Sequence, residues 1–244
     1  MRRRATFRDE AVSYAAVGAT AAPDVLAYPP RGFRASATSW HIGSGEQRFE
    51  WCEENLLSWR MIDAAGFRLE HVEHSAEGGY AGAGATAFHT NTTTGEAVYA
   101  PDGRGFITPG DVVTLLWGRT GKRRERHFRV VAVTRELNVV SVSLGTLDRE
   151  PFVGEFLIGI EYRDDDTVWS RVIQVVAPGS SRMSRLLFPL VLLVLTRVRG
   201  RIARGLNPAR VAHAREAVAE EDAEIRDAEA GDPAPPSNPD ASAH

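Results

Sequence analysis

The sequence predicts an α+β fold in which a curved antiparallel sheet wraps around a long C-terminal helix. Three observations predict it. From Gly110 to about Pro178 the chain reads as consecutive strands rich in Val, Leu, Ile and Trp. The connections between those strands are short, which makes neighbours antiparallel. From Ser180 onward the pattern changes to one apolar and then arginine-rich helix. A sheet of hairpins closed by one helix must bury its inner face against that helix, and curvature leaves room for a cavity between them.

The elements follow in order. Residues 1–32 are a loop-rich lead-in, punctuated by Tyr14, Gly18, Pro23, Pro29, Pro30 and Gly32. Phe33 to Trp40 reads as a strand. Ser44, with Gln47 three residues on, fits a capping box opening a helix. Along that helix Phe49, Cys52, Leu56, Trp59 and Ile62 recur at spacings of three and four, so they share a face that lies on something apolar. Gly66 ends it, and Phe67 to Val72 forms a short strand. Residues 75–84 are a flexible connection, and 85–89 can pair with 96–99 across a polar turn.

Five stronger strands then run over Asp111 to Trp117, His127 to Thr134, Val139 to Leu147, Val153 to Tyr162 and Thr167 to Val176. Each carries β-branched and aromatic residues, with turn signals such as Arg163 to Asp166 between them. In the last strand Trp169, Arg171, Ile173 and Val175 fall on one face and Val168, Ser170, Val172, Gln174 and Val176 on the other. The final helix starts at Ser180 or Ser181. Its stretch from Leu186 to Leu195 is interrupted by Pro189 and is too short to cross a bilayer, which takes ~20 residues; a buried core helix is expected. The domain therefore spans residues 33–206. A weak alanine-rich helix occupies 207–230, where Val211, Val218 and Ile225 fall seven apart, and 231–244 is an acidic, Pro-rich disordered tail.

Composition narrows the classes of function. Of 244 residues, 43% are hydrophobic and 25% charged, the balance of a globular protein. Lys122 is the single lysine among 29 basic residues. From Glu216 to the end nine acids face one base, Arg226, so the net charge of −3 divides into −8 for the tail and +5 for the rest. A charge of +5 spread over that length, with no reading module, argues against nucleic acid. Cys52 is the only cysteine, which excludes an intrachain disulfide and a thiolate zinc site. Arg2, Arg3 and Arg4 are followed by Arg8, Asp9 and Glu10 instead of an apolar run, so no secretion signal is read and a cytoplasmic protein is expected.

No motif supplies a reaction. Gly82-Ala83-Gly84 lacks the third glycine and the strand-to-helix context of a dinucleotide fingerprint. His71 and His74 stand three apart on a strand-to-loop segment, facing opposite ways, so no metal is implied. Ser44 lies between two glycines without the spacing of a nucleophile elbow. Glu53-Glu54 and Asp164 to Asp166 sit at solvated positions. Glu155 is different, because it interrupts the apolar segment Gly154 to Ile158, and Arg60 between Trp59 and Met61 has the same profile. A carboxylate and a guanidinium facing one cavity would pair with each other or anchor a polar ligand group.

Five phrases carry a resemblance when read together: Val12-Ser13-Tyr14 with Val17-Gly18-Ala19-Thr20; Leu56 to Met61; Gly110-Asp111-Val112-Val113; Gly145-Thr146-Leu147 followed by Gly154-Glu155; and Asp166-Thr167-Val168-Trp169. Their order and spacing over residues 7–206 resemble a bacterial and plant family named for domain of unknown function nineteen-ninety. That family is similar in architecture to START-like helix-grip proteins, so the resemblance implies a helix-grip fold and a hydrophobic ligand. The chain departs from the family at Asp148-Arg149-Glu150-Pro151, where a Pro-Gly-His-Pro segment is usual, and at Phe156, where a second acid is usual. A family site built on that histidine and acid would be absent here.

The expected function is binding of a small hydrophobic or amphipathic ligand between sheet and helix, with no cofactor. Trp59, Arg60, Glu155 and Trp169 are the candidate ligand-binding residues, the aromatics giving contact area and the charged pair fixing a polar group. Two alternatives stand beside it. One is a cyclase- or hydratase-type enzyme on the same scaffold. The other is a membrane-peripheral protein whose Leu-rich helix and Arg197, Arg199, Arg201 and Arg204 meet an anionic surface.

Overall fold

The computed structural model describes residues 12–73, 105–117, 124–214, 216, 217 and 220. Strand β1 (Arg34–Ser44) leads into helices α1 (Glu46–Leu57) and α2 (Arg60–Ala64), followed by β2 (Arg68–Glu73). Strands β3 (Val112–Trp117), β4 (Arg124–Glu136), β5 (Val139–Thr146), β6 (Phe152–Tyr162) and β7 (Thr167–Pro178) then form an antiparallel meander, and α3 (Arg182–Ala203) closes the domain. The described strands make one seven-stranded antiparallel sheet in the order β1-β7-β6-β5-β4-β3-β2. It is curved, with α3 across its concave face, which is the helix-grip arrangement. Bulges between His41 and Gly43, Leu69 and His71, and Val130 and Ala132 interrupt the ladder and add local bend.

The five strong strands lie within a few residues of their expected bounds, because their β-branched runs are long and their turns short. The hairpin expected at 85–99, the glycine segment at 82–84, His74, Val218, Ile225 and the tail at 231–244 lie outside the described residues.

Two expectations near α1 need correction. Ser44 does not cap the helix: it ends β1 paired with Thr167, and Gly45, at φ 90°, takes the cap position with no side-chain hydrogen bond. The expected single helix is also broken in two. Trp59 stands at φ 66°, so the chain turns left-handed between α1 and α2, although Phe49, Cys52, Leu56, Trp59 and Ile62 are all buried as their spacing implies. These two helices cover one end of the concave face, against Val140, Val142, Ile158, Ile160, Val168 and Val172. Cys52 is enclosed there, and burial pushes its thiol up to about 11, against a smaller opposing pull from Arg48.

Along β6 and β7 the two faces separate cleanly. Val168, Ser170, Val172, Gln174 and Val176 point into the concave side and are buried. Opposite them Ile173 and Val175 are buried by Val25, Ala19 and Ala22 from the N-terminal segment, which lies over the convex face.

The segment Leu186 to Leu195 is not enclosed as a core helix. Leu195 is buried, but Leu186, Leu187, Leu190, Leu193 and Val194 are exposed. Helix α3 rests on the sheet by one flank only, and its outer side has no cover among the described residues.

Candidate ligand cavity

Between α3 and the concave face lies a cavity of about 900 Å3. Its floor comes from the sheet: Leu115, Phe128, Leu144, Phe152, Phe156 and Ile158. Strand alternation puts them there, since Phe152, Phe156 and Ile158 share the even positions of β6. Its roof is the flank of α3 carrying Leu187, Val191, Val194, Leu195 and Val198. Phe152 and Phe156 pack edge to face with ring centroids 6.0 Å apart, and Phe128 meets Phe156 the same way at 6.2 Å. Leu187, Leu190 and Val194 line the cavity and are also exposed, so it opens to solvent beside the helix.

Polar groups are few in this wall, and most are arginines: Arg124, Arg126, Arg197 and Arg201. Arg126 is buried. Its Nη1 donates to Glu150 O at 2.7 Å and its Nη2 to Phe152 O at 3.2 Å, while its guanidinium lies 4.1 Å from the Phe152 ring centroid. Nε is buried without a hydrogen-bond partner, 3.7 Å from Asp148 Oδ2. Burial lowers the Arg126 pKa, and Asp148 opposes that shift.

Glu150 stands at the entrance to α3. Its carboxylate accepts hydrogen bonds from Ser184 Oγ, from Ser181 N at 2.8 Å and from Ser180 Oγ at 2.9 Å. These bonds, the one from Ser184 foremost, hold its pKa down to about 2. Ser181 caps the helix in the ordinary way, accepting from Ser184 N. Next to this, His127 Nδ1 sits 3.2 Å from Asp148 Oδ1, and that hydrogen bond raises the His127 pKa against the opposing effect of burial. Both acids belong to the segment Asp148-Arg149-Glu150-Pro151 that joins β5 to β6. No three His, Cys, Asp or Glu side chains among the described residues come together as a metal site.

None of the four residues expected at the cavity lines it. Glu155 occupies an odd position of β6, so its side chain leaves the sheet on the convex face. There it is fully buried under the N-terminal segment and accepts from Tyr14 Oη at 2.7 Å, Gly18 N at 2.8 Å, Thr20 N at 3.2 Å and Thr20 Oγ1. Arg60 does not meet it: Arg60 opens α2, and its Nη1 lies 3.0 Å from Glu54 Oε1 on the preceding helix. Trp59 is packed in the core at the break between α1 and α2. Trp169 lies on the convex face, with the Arg163 guanidinium 4.4 Å from its ring centroid and His41 beside it.

The arginine cluster at the end of α3 divides as well. Arg197 and Arg201 are exposed, but Arg199 is buried, donating to Thr38 Oγ1 at 2.7 Å and to Ser36 Oγ on β1. Arg204 is half-buried, 5.2 Å from the Trp40 ring centroid. Helical geometry explains this: Arg199 falls on the flank that carries Leu195 and Ile202 toward the sheet.

Arg126 escaped the sequence reading because its strand starts at Arg124, three residues earlier than expected. The available signal was the alternation Arg124, Arg126, Phe128, Val130, which puts Arg126 on the face of Phe128. Two of the phrases that carried the resemblance, Val12 to Thr20 and Gly145-Thr146-Leu147 with Gly154-Glu155, meet in space on the convex face. Ser13 N and Oγ both donate to Thr146 O, at 2.9 and 2.8 Å, and Gly154 N donates to Thr146 Oγ1 at 2.9 Å. A Cβ on Gly145 would fall 2.5 Å from Tyr14 Oη, so only glycine lets that tyrosine reach Glu155.

Fold and cavity together define a helix-grip protein with an apolar, solvent-connected interior. A family model described as Domain of unknown function (DUF1990) matches residues 13–107 and 80–205, and the chain belongs to that family. No curated protein matches the chain. Among solved structures it is similar to a hypothetical protein from Helicobacter pylori at 8% identity, covering 79% of this chain and 94% of that one with a TM-score of 0.44. A major latex-like protein from Panax ginseng is similar at 11% identity, covering 72% and 99% with a TM-score of 0.38. A member of the major latex protein family from Arabidopsis thaliana is similar at 12% identity, covering 73% and 96% with a TM-score of 0.33.

Proposed function

We propose that the protein binds a small hydrophobic or amphipathic molecule in the cavity beneath α3. The observation that carries this reading is an apolar space of about 900 Å3 inside a folded domain. Protein interiors are otherwise close-packed, because each lining atom without a neighbour forfeits dispersion contacts. Ligand sites span roughly 300–1,000 Å3 and are mostly apolar with a few polar groups. Here Phe128, Phe152 and Phe156 would contact an apolar body. Arg126, with one N–H unpartnered and the nearest carboxylate at 3.7 Å, would receive a polar or anionic group at the wall.

The enzyme alternative drew on Arg60 and Glu155, which pair with Glu54 and with the N-terminal segment instead; no observation favours it.

Native mass spectrometry of the protein purified from its own host tests the reading directly. A retained small molecule at one-to-one stoichiometry is expected. In parallel, the fluorescent amphipath anilinonaphthalene sulfonate should bind saturably to emptied protein, and Val191→Trp, which fills the roof, should weaken it at least about tenfold, on the order of one lost anchor contact. No retained molecule together with probe binding indifferent to Val191→Trp would sink the reading.

A further inference from the structure

The outer side of α3 carries an exposed pattern that meets the cavity lining along one edge, at Leu190, Arg197 and Arg201. Arg182, Leu186, Leu190, Leu193, Arg197 and Arg201 follow one another at spacings of four, four, three, four and four. At 3.6 residues per turn they form a single stripe along the helix. All six are exposed, Leu186 at 74%, Leu190 at 61% and Leu193 at 51%. Met183 and Val194 flank the stripe and are exposed at 61% and 56%. Leucines occupy its middle, arginines close both ends, and α3 contains no acidic residue.

We propose that this stripe is a docking face for an anionic lipid bilayer, with α3 lying parallel to the membrane plane. From Arg182 to Arg197 the stripe runs about 22 Å along the axis, the dimension of an interfacial helix with its leucines at the acyl boundary. Arg182 and Arg197 are exposed beside that line, so their aliphatic stems stay with the leucines while the guanidiniums meet lipid phosphates; Arg201 instead packs its guanidinium 5.6 Å from the Phe67 ring centroid. No helix among the described residues is long and apolar enough to cross a membrane, which fits attachment along the surface.

Charge decides between this occupant and others. A second copy packed antiparallel on the stripe would set Arg182 of each helix against Arg197 and Arg201 of the other, with no acid in either helix to neutralise them. The chain's own acidic stretch from Glu216 onward has the right sign, but it offers only Val218 and Ile225 as large apolar residues to cover five exposed ones. A bilayer carrying anionic lipid supplies both an apolar layer and the complementary charge. The docked face adjoins the cavity opening, since Leu190 and Val194 belong to both. A lipid-derived ligand would thus pass between membrane and cavity without crossing open water.

The test is sedimentation of the full chain with vesicles of phosphatidylcholine alone and of phosphatidylcholine mixed with phosphatidylglycerol, at low and high salt. Binding to the mixed vesicles only, weakened by salt, is expected. Arg182→Gln with Arg197→Gln should reduce partitioning roughly 30-fold, about fivefold per arginine near an anionic surface. Leu186→Ser with Leu190→Ser and Leu193→Ser should abolish it while leaving the melting temperature and circular dichroism unchanged, because the side chains are exposed. Three results would overturn the proposal: no binding to mixed vesicles at low salt, equal binding to both vesicle types, or binding that survives the triple serine variant. A dimer in solution that the same triple variant dissociates would overturn it too, by making a second copy the occupant. The outcome is distinguishable from the cavity reading, since Arg182, Leu186 and Leu193 lie outside the cavity lining and vesicles sediment the protein whether or not it retains a ligand.

Discussion

On the convex face of the sheet, Glu155 is fully buried and accepts four hydrogen bonds from the segment laid over it. One residue along β6, Phe156 faces the concave side and a cavity of about 900 Å3. Successive residues of one strand thus meet opposite solutions to burial. The convex side contains the costlier group, a charge, yet every partner it needs comes from the chain itself. The concave side contains cheap apolar walls whose missing contacts no described residue supplies. Burial of an ion is tolerable when its hydrogen bonds are complete, and an apolar void is tolerable when something else fills it. Function is therefore to be sought where the protein leaves contacts unmade, and the most conspicuous buried carboxylate is not that place.

The sharpest way to break this contrast is Glu155→Ala. It leaves the Tyr14 hydroxyl, two backbone N–H groups and the Thr20 hydroxyl without their acceptor, and should cost about 3–5 kcal/mol in urea unfolding. Leu187→Ala, on α3 above the concave face, removes an apolar side chain that is 42% exposed at the cavity mouth. It should cost less than about 1 kcal/mol, far below the 2–5 kcal/mol of a packed leucine. Equal losses at the two sites would erase the distinction.

A smaller effect separates the ends of the cavity by pH. The Glu150 carboxyl is held at about 2, below its ordinary 4.5, by the bond from Ser184 and those from Ser181 and Ser180. A depressed acid stabilises the fold above its unfolded value and loses that contribution as pH falls through the folded one. The Ser181 amide resonance should accordingly move with a midpoint near 2, and Glu150→Gln should flatten it. A midpoint near 4.5 would show that the cap does not hold the carboxylate.

The smallest expected effect is at His127. Its pKa is raised above 6.5 chiefly by the hydrogen bond to Asp148. The Asp148 pKa is lowered: burial opposes this, but the bonds from the His127 ring and backbone N–H outweigh it. For the histidine the contribution is complete below 6.5 and fades as pH rises through the folded value; for the acid it fades as pH falls below the carboxylate range. The pair therefore stabilises most in mildly acidic solution. Imidazole titration followed by NMR should give a value above 6.5 that returns toward 6.5 in Asp148→Asn.

How much of this was legible depends on what each residue's pattern encodes. Strand positions were readable because runs such as Val139 to Thr146 are β-branched and end at turn residues. Which face of β6 looks inward was not, because both faces are apolar: Phe152, Phe156, Ile158 and Ile160 alternate with Val153 and Leu157. That ambiguity placed Glu155 at the cavity. The break at Trp59 was hidden because its φ of 66° is imposed by the packing of α1 and α2, and a tryptophan carries no local signal for it. The exposure of Leu186 and Leu190 was hidden for a related reason. An apolar helix under the sheet and one half out of it have the same composition, and only the sheet's outline tells them apart.

The donors that satisfy Glu155 lie up to 141 positions upstream in the chain. The stretch from Tyr14 to Thr20, ahead of the first strand, is thus a cover over the convex face of the sheet. A recombinant fragment trimmed to the sheet would strand a naked carboxylate in its interior.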